Sequence, residues 1–277
     1  MPSQVSKGMM LRAFQLLKMM GRGVVSRKKK SPVLIPGVNA VMETLIQGRS
    51  GVREVWVAEG KKGPRIEEVL QSAKKLGIPV HFKRRDEVDQ FAPDIAHQGV
   101  LALADPFAYA DLDAVVRDSL QGPAGALILA ADHITDEGNL GALIRSAAFF
   151  GAHGLILPKD RSARITPKVL KRSAGAYVHL PIVQVVNLSR TLDLLSKKGF
   201  WVVGAAGEGS ESIDRFDWKR DLVLVLGSEE KGLGHAVKKQ CHQIVRIEGS
   251  GAVASLNVSV AGGVVFSEIV RQRRAGG

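Results

Sequence analysis

The chain of 277 residues contains one cysteine, Cys241. That excludes an intramolecular disulfide framework and a cysteine-rich zinc site, and makes a reducing, cytoplasmic setting the expected one. Aromatic side chains are scarce, at 5% of residues. Long hydrophobic runs are missing as well. The apolar stretches 222–226 and 264–266 fall far short of the ~20 residues that cross a bilayer, so no membrane attachment is expected. No apolar segment is followed by a small-residue cleavage site, and no secretory signal is expected. The most telling absence is of acid. Residues 1–42 hold Lys7, Arg12, Lys18, Arg22, Arg27, Lys28, Lys29 and Lys30 but no Asp or Glu.

What is present follows from that imbalance. The formal net charge is +12, of which the arm supplies eight charges. A field of this sign favours polyanions, nucleic acid foremost. Three readings of the arm stand side by side: a solvated tail, an RNA-contacting segment that gains affinity by releasing counterions, or a targeting peptide. The last rests on Leu11, Phe14, Leu17 and Met20 at helical spacing in an acid-free stretch. Hydrophobic residues make up 45% of the chain and charged residues 24%, a balance that supports a packed interior.

The sequence divides into four sections: a basic arm over 1–31, a compact α/β unit over 32–108, a linker over 109–125 and a larger α/β unit over 126–277. In the second section, helical periodicity over 38–47 and 66–76 alternates with strand-like runs at 52–57, 78–82 and 100–103. A polar helix ending in Gln121-Gly122-Pro123 forms the linker. Beyond it, apolar strands at 127–131, 155–157, 201–204, 222–226 and 244–247 alternate with amphipathic helices, which predicts a mostly parallel sheet covered on both faces.

Ligands of such sheets bind outside the carboxyl ends of the strands. Three stretches occupy those positions. After the strand at 127–131 comes a run from Asp132 through Asn139 to Arg145, in which Gly138 and Gly141 permit close backbone approach and Asn139 suits a helix N-cap. Asn139 and Arg145 are expected to address one strand-end cleft. After 222–226 comes Gly227-Ser-Glu-Glu-Lys-Gly232, a glycine-rich turn with two carboxylates whose spacing fits neither a Walker loop nor a dinucleotide fingerprint. The third stretch, from Ile247 through a Gly/Ser/Ala loop to Ser255, Leu256, Asn257 and Ser259, sets neutral hydrogen-bonding groups around the start of an apolar helix. Capping explains any one of these polar residues taken singly.

Taken together, Asn139-Leu-Gly-Ala-Leu-Ile-Arg-Ser146, Gly227-Ser-Glu-Glu-Lys-Gly232 and Ser255-Leu-Asn-Val-Ser-Val-Ala261 resemble the three signature motifs of the SpoU (TrmH-like) RNA 2′-O-ribose methyltransferases. The likeness runs from Ala126 to about Arg273. The unit before it, through Pro36-Gly-Val-Asn-Ala-Val41 and Ala96-His-Gln-Gly-Val100, resembles the ribosomal-protein-like RNA-binding domain often fused to these enzymes. The composite is most similar to the large-subunit ribosomal RNA guanosine branch.

The resemblance implies an α/β fold with a trefoil-knotted C-terminal domain, a homodimer, S-adenosyl-L-methionine as donor and ribosomal RNA as substrate, with no metal. It implies donor contacts from Gly227, Ile247 and Leu256, and a catalytic set of Arg145, Asn139, Glu229, Ser255 and Asn257. Arg145 is either the base that takes the 2′-hydroxyl proton or a cation that steadies the forming alkoxide. Guanidinium keeps its proton far above neutral pH, which weighs toward the second role. Two other readings are a transfer RNA substrate and a non-catalytic ribosome-assembly factor with a vestigial methyltransferase domain.

Overall fold

The computed structural model describes residues 32–48, 51–122, 125–251, 253 and 255–275. The basic arm, residues 1–31, and all three readings of it lie outside these. The front unit consists of β1 (Val33–Pro36), α1 (Val38–Gln47), β2 (Val52–Ala58), α2 (Pro64–Lys75), β3 (Val80–Lys83), α3 (Arg85–Phe91) and β4 (Val100–Ala104). Its sheet has the order β1-β4-β2-β3, with β4 antiparallel to both neighbours and β3 parallel to β2. Helix α2 begins two residues earlier than its periodicity indicates, because Pro64 takes a first-turn position where a missing N–H is no loss. Strand β1 gives no period-2 signal. It is four residues long and ends in Pro36, which an edge strand tolerates.

The back unit follows with α4 (Leu112–Ser119), β5 (Leu127–Ala131), α5 (Glu137–Phe149), β6 (Gly154–Pro158), α6 (Pro167–Arg172), β7 (Ile182–Val185), α7 (Leu188–Lys197), β8 (Trp201–Ala205), β9 (Glu211–Ser212), β10 (Leu222–Leu226), α8 (His235–Lys238), β11 (Gln243–Arg246) and α9 (Val258–Arg274). Seven strands pair in the order β7-β6-β5-β10-β8-β11-β9, every ladder parallel. At its centre Leu222 lies opposite Leu127 and Leu226 opposite Ala131. Both strands are buried throughout. Their alternate residues feed two cores: Leu127, Leu129, Leu222 and Leu224 pack on one face, Ile128, Ala130, Val223 and Val225 on the other. That is why the sequence reads as unbroken apolar runs. Truncating a residue such as Leu224 to Ala costs about 2–5 kcal/mol at a site of this kind.

The two units share a core. Ile35, Val41 and Leu45 of the front unit belong to the same buried cluster as Leu129, Leu140 and Leu224 of the back. Polar contacts pin the seam. The hydroxyls of Thr44 and Tyr177 are 2.6 Å apart, His179 Nε2 and Glu43 Oε2 2.9 Å, and Lys171 Nζ donates to Gln98 Oε1 at 3.1 Å. Desolvation holds the Lys171 ammonium below the usual lysine range. The stretch 109–125 also does more than join: Val115 and Val116 of α4 are buried against the parallel sheet. Among the described residues, no helix is long and apolar enough to cross a membrane.

Candidate active site

Ala131 and Leu226 end β5 and β10 side by side, so the segments that follow both leave the sheet at one edge. The ladder is prolonged by one bond, from Asp132 N to Leu226 O at 2.8 Å. The Asp132 carboxylate, 1% exposed, then ties the two segments together: Oδ2 accepts from Gly234 N at 2.7 Å, and Oδ1 lies 2.6 Å from His133 Nδ1. Asp132 stands in the first motif's run without having stood out there. A carboxylate directly after an apolar strand is the signal that could have found it.

The turn 227–232 closes on itself through a pair of backbone bonds between Ser228 and Gly232. A Cβ on Gly227 would fall 2.3 Å from the carbonyl carbon and oxygen of Gly232. The close approach that glycine permits here is thus made by the turn's own backbone. The turn presents Glu229 at the sheet edge, where it meets side chains from both other motifs. Asn139 Nδ2 donates to Glu229 Oε1 at 2.9 Å, Asn257 Nδ2 donates to Asn139 Oδ1 at 2.9 Å and also to Glu229 Oε1, and Val258 N donates to Glu229 Oε1 at 3.2 Å.

Helix starts fix two corners of this network. Asn257 caps α9, its Oδ1 accepting from Ser259 N at 2.9 Å. Asn139 is not the cap of α5, contrary to expectation. Asp136 takes that place, with Oδ1 accepting from Asn139 N at 2.7 Å, which frees the Asn139 side chain for the network. Placing a carboxylate at the N-terminus of a 17-residue helix is electrostatically favourable, as Glu229 does for α9. The product is a hydrogen-bonded lip of amides and one carboxylate, bordered by two helix N-termini, suited to orient a hydroxyl and a nearby phosphate.

Arg145 and Ser255 stand outside this network. Six residues of helix turn Arg145 about 120° away from Asn139 and move it roughly 9 Å along α5. Its side chain is exposed, with no hydrogen bond or ion pair among the described residues. The expectation that both residues face one cleft is therefore not met within a single chain, for reasons of helical pitch. Ser255 is also exposed, with no side-chain partner among the described residues.

The residues expected at the donor differ in setting. Ile247 is half-buried against the main core, and Leu256 is 47% exposed. Between them, residues 248–256 make no backbone–backbone hydrogen bond among the described residues. The described amides of this loop, flanked by two apolar side chains and followed by Asn257 and Val258 on Glu229, suit a purine nucleoside. Burial pushes the Cys241 thiol up to about 11, so it offers no thiolate near neutral pH. No cluster of acidic, histidine or cysteine residues able to hold a metal occurs among the described residues. A cavity of about 660 Å³ lies at the far end of α5, between its end and that of α9, and is lined by Phe149, Phe150 and Val270.

Comparison with known proteins bears on this geometry. Residues 126–267 match the family model described as the SpoU rRNA methylase family, and residues 34–110 match that of RNA 2′-O ribose methyltransferase substrate binding. The chain belongs to the SpoU rRNA methylase family. This SpoU methylase is 40% identical over 238 residues to the 23S rRNA (guanosine-2′-O-)-methyltransferase RlmB of Pseudomonas aeruginosa, covering 86% of the chain and 95% of that protein. It is also 40% identical over 243 residues to RlmB of Pseudomonas putida, covering 87% and 96%. The SpoU methyltransferase AviRb from Streptomyces viridochromogenes, in complex with AdoMet, superposes with a TM-score of 0.75 at 25% identity over 96% of this chain and 99% of that one. The SpoU methylase is accordingly an S-adenosylmethionine-dependent RNA 2′-O-methyltransferase with an α/β methylase unit behind a substrate-binding unit.

Proposed function

We propose that this enzyme methylates the ribose 2′-hydroxyl of a guanosine in large-subunit ribosomal RNA. One observation carries the site assignment: three side chains, with Asn139 lying 90 residues from Glu229 and 118 from Asn257, converge in one hydrogen-bonded network at the sheet's carboxyl edge. The substrate assignment is supported by 40% identity to the RlmB enzymes along nearly the whole chain, front unit included. A transfer RNA substrate and a non-catalytic assembly factor gain nothing from the geometry.

Bound at Gly227, Ile247 and Leu256, the donor supplies an already activated methyl on a sulfonium, so positioning provides much of the rate. Asn139, Glu229, Ser255 and Asn257 orient the acceptor ribose and its phosphate. Arg145 acts as a cation that steadies the forming alkoxide. The enzyme works as a homodimer in the cytoplasm. Support for the dimer comes from the exposed apolar face of α5 and α9, where Phe149 is 82% exposed and Val260 and Val264 are also open. Arg145 lies one turn before Phe149, so a second copy seated on that face borders its guanidinium. The return of α9 from β11, across β8 and β10, to pack on α5 is consistent with a knotted C-terminal segment. The division at 32–108, 109–125 and 126–277 separates RNA grip from chemistry, and the arm 1–31 adds phosphate contacts.

The test is methyl transfer from radiolabelled S-adenosylmethionine to ribosomal RNA from a strain lacking the gene. Mapping of ribose methylation should place the label at one guanosine of the large-subunit RNA. Label in transfer RNA, or none in either, would refute the assignment.

A further inference from the structure

A second cavity, of about 410 Å³, opens where the two units meet. Its wall combines Leu34 and Phe91 of the front unit with Phe107 and Tyr109 just beyond β4, and with Arg164 and Pro167 of the back unit. The chain has only 14 aromatic side chains, yet three of them line this one recess. Phe107 and Tyr109 meet edge to face, with centroids 5.2 Å apart, which holds both rings in place. Tyr109 is 36% exposed and has no hydrogen-bond partner for its hydroxyl among the described residues.

The segment that supplies Arg164 and Pro167 to the wall is strongly basic. Residues 159–172 contain Lys159, Arg161, Arg164, Lys168, Lys171 and Arg172 against the single acid Asp160. Among the described residues, Lys159, Arg161, Arg164 and Arg172 form no ion pair, and all four are exposed. This basic segment also abuts the candidate active site. Thr166, the cap of α6, donates to Glu137 Oε1 at 2.7 Å, and Lys168 lies 3.8 Å from the same carboxylate. Glu137 is the first residue of α5, two before Asn139. The Arg172 guanidinium passes beside Gly138.

We propose that this junction cavity binds an unpaired base of the substrate RNA, close along the strand to the methylated nucleotide. Tyr109 and Phe107 offer faces and edges for stacking, and Arg164 a guanidinium plane. Lys168 and Arg172 hold the phosphates between cavity and active site. Single-stranded RNA is recognised through unstacked bases set on aromatic and arginine surfaces, with cations along the backbone. The inference rests on RNA being the substrate, but not on which RNA, nor on the role given to Arg145.

The experiment uses the full chain with p-benzoyl-phenylalanine in place of Tyr109 and a fluorescein-labelled single-stranded RNA dodecamer. Irradiation should yield an RNA adduct. In parallel, Tyr109→Ala and Arg164→Gln should each weaken anisotropy-measured affinity by about five-fold or more, the scale of one lost base stack, while Tyr109→Phe binds normally. Unchanged S-adenosylmethionine affinity checks that each variant is folded. Unaltered RNA affinity in both variants would overturn the proposal. So would an adduct to the chain's own residues 1–31, which precede Pro32 of the cavity wall in sequence, or to a second copy of the chain. Methyl transfer is not the readout, so the cavity and the substrate assignment fail separately.

Discussion

Asn139 Nδ2 lies 2.9 Å from Glu229 Oε1, and the same oxygen also receives Val258 N at 3.2 Å. One carboxylate oxygen thus collects donors from the helices that open the first and third motifs. Glu229→Gln keeps an acceptor but loses the charge that draws these donors together. It should lower kcat by roughly 10- to 100-fold, the scale of a charge-assisted hydrogen bond, with the protein still folded. Single-turnover methyl transfer checks this, and near-normal rates would remove Glu229 from the site.

Arg145→Ala should leave donor affinity nearly intact and slow methyl transfer by about two to four orders of magnitude, the range for a lost charge-stabilising or proton-transfer group. Arg145→Lys keeps the charge but not the planar fork. Substantial activity in the lysine variant is the expected outcome for an alkoxide-steadying cation. Equal loss in both variants would point to the base role.

Gly227→Ala places a methyl group on the backbone of Gly232. The 227–232 turn must open to admit it, which moves Glu229. Calorimetry should show S-adenosylmethionine affinity falling sharply while circular dichroism shows the sheet retained. Unchanged affinity would separate this turn from the donor pocket.

Asp132→Ala should destabilise the protein by about 1–3 kcal/mol, because the Gly234 amide it satisfies is left without its acceptor. Urea denaturation measures the loss. Donor affinity should fall with it, since Gly234 lies two residues beyond the turn that carries Glu229. A variant as stable as the parent would show that Asp132 does not tie the two segments together.

His97 supplies a pH signature. Burial lowers its pKa below the ordinary 6.5, and the hydrogen bond to Asp89 only partly opposes this. His153 shifts the same way, again chiefly through burial. In both, the folded state binds the proton less tightly than the unfolded chain does. Their contribution to stability is therefore fully present above pH 6.5 and lost as pH falls below it. Melting temperature should drop between pH 7.5 and pH 5.5, and His97→Gln should flatten part of that drop. His97 Nδ1 accepts from Gly99 N, and the adjoining Gln98 holds Lys171, so protonation loosens the seam between the units.

The central strands were legible because parallel strands covered on both faces leave an unbroken apolar run, as Leu222–Leu226 does. The three motifs were legible because each follows such a strand and carries polar residues where a sheet places its ligands. Sequence alone therefore determined the α/β class of the back unit, the family and the edge of the sheet where the first two motifs leave it. Two short strands escaped, β1, which ends in Pro36, and β7, although β3 and β11 of the same length were legible.

Only the tertiary structure decided how those residues combine. Periodicity reports which face of a helix is apolar, but not which distant segment its polar residues meet. Hence the meeting of Asn139, Glu229 and Asn257 was inferred from likeness and became geometry only when β5 and β10 were set side by side. The cap of α5 passed from Asn139 to Asp136 because a cap is defined by backbone angles and a bond at 2.7 Å, which residue type alone does not select. Helical pitch turned Arg145 away from the network. The seam is tertiary in the same sense: Thr44 meets Tyr177 across 133 positions, and no local pattern encodes a contact that arises only when two apolar faces close on each other.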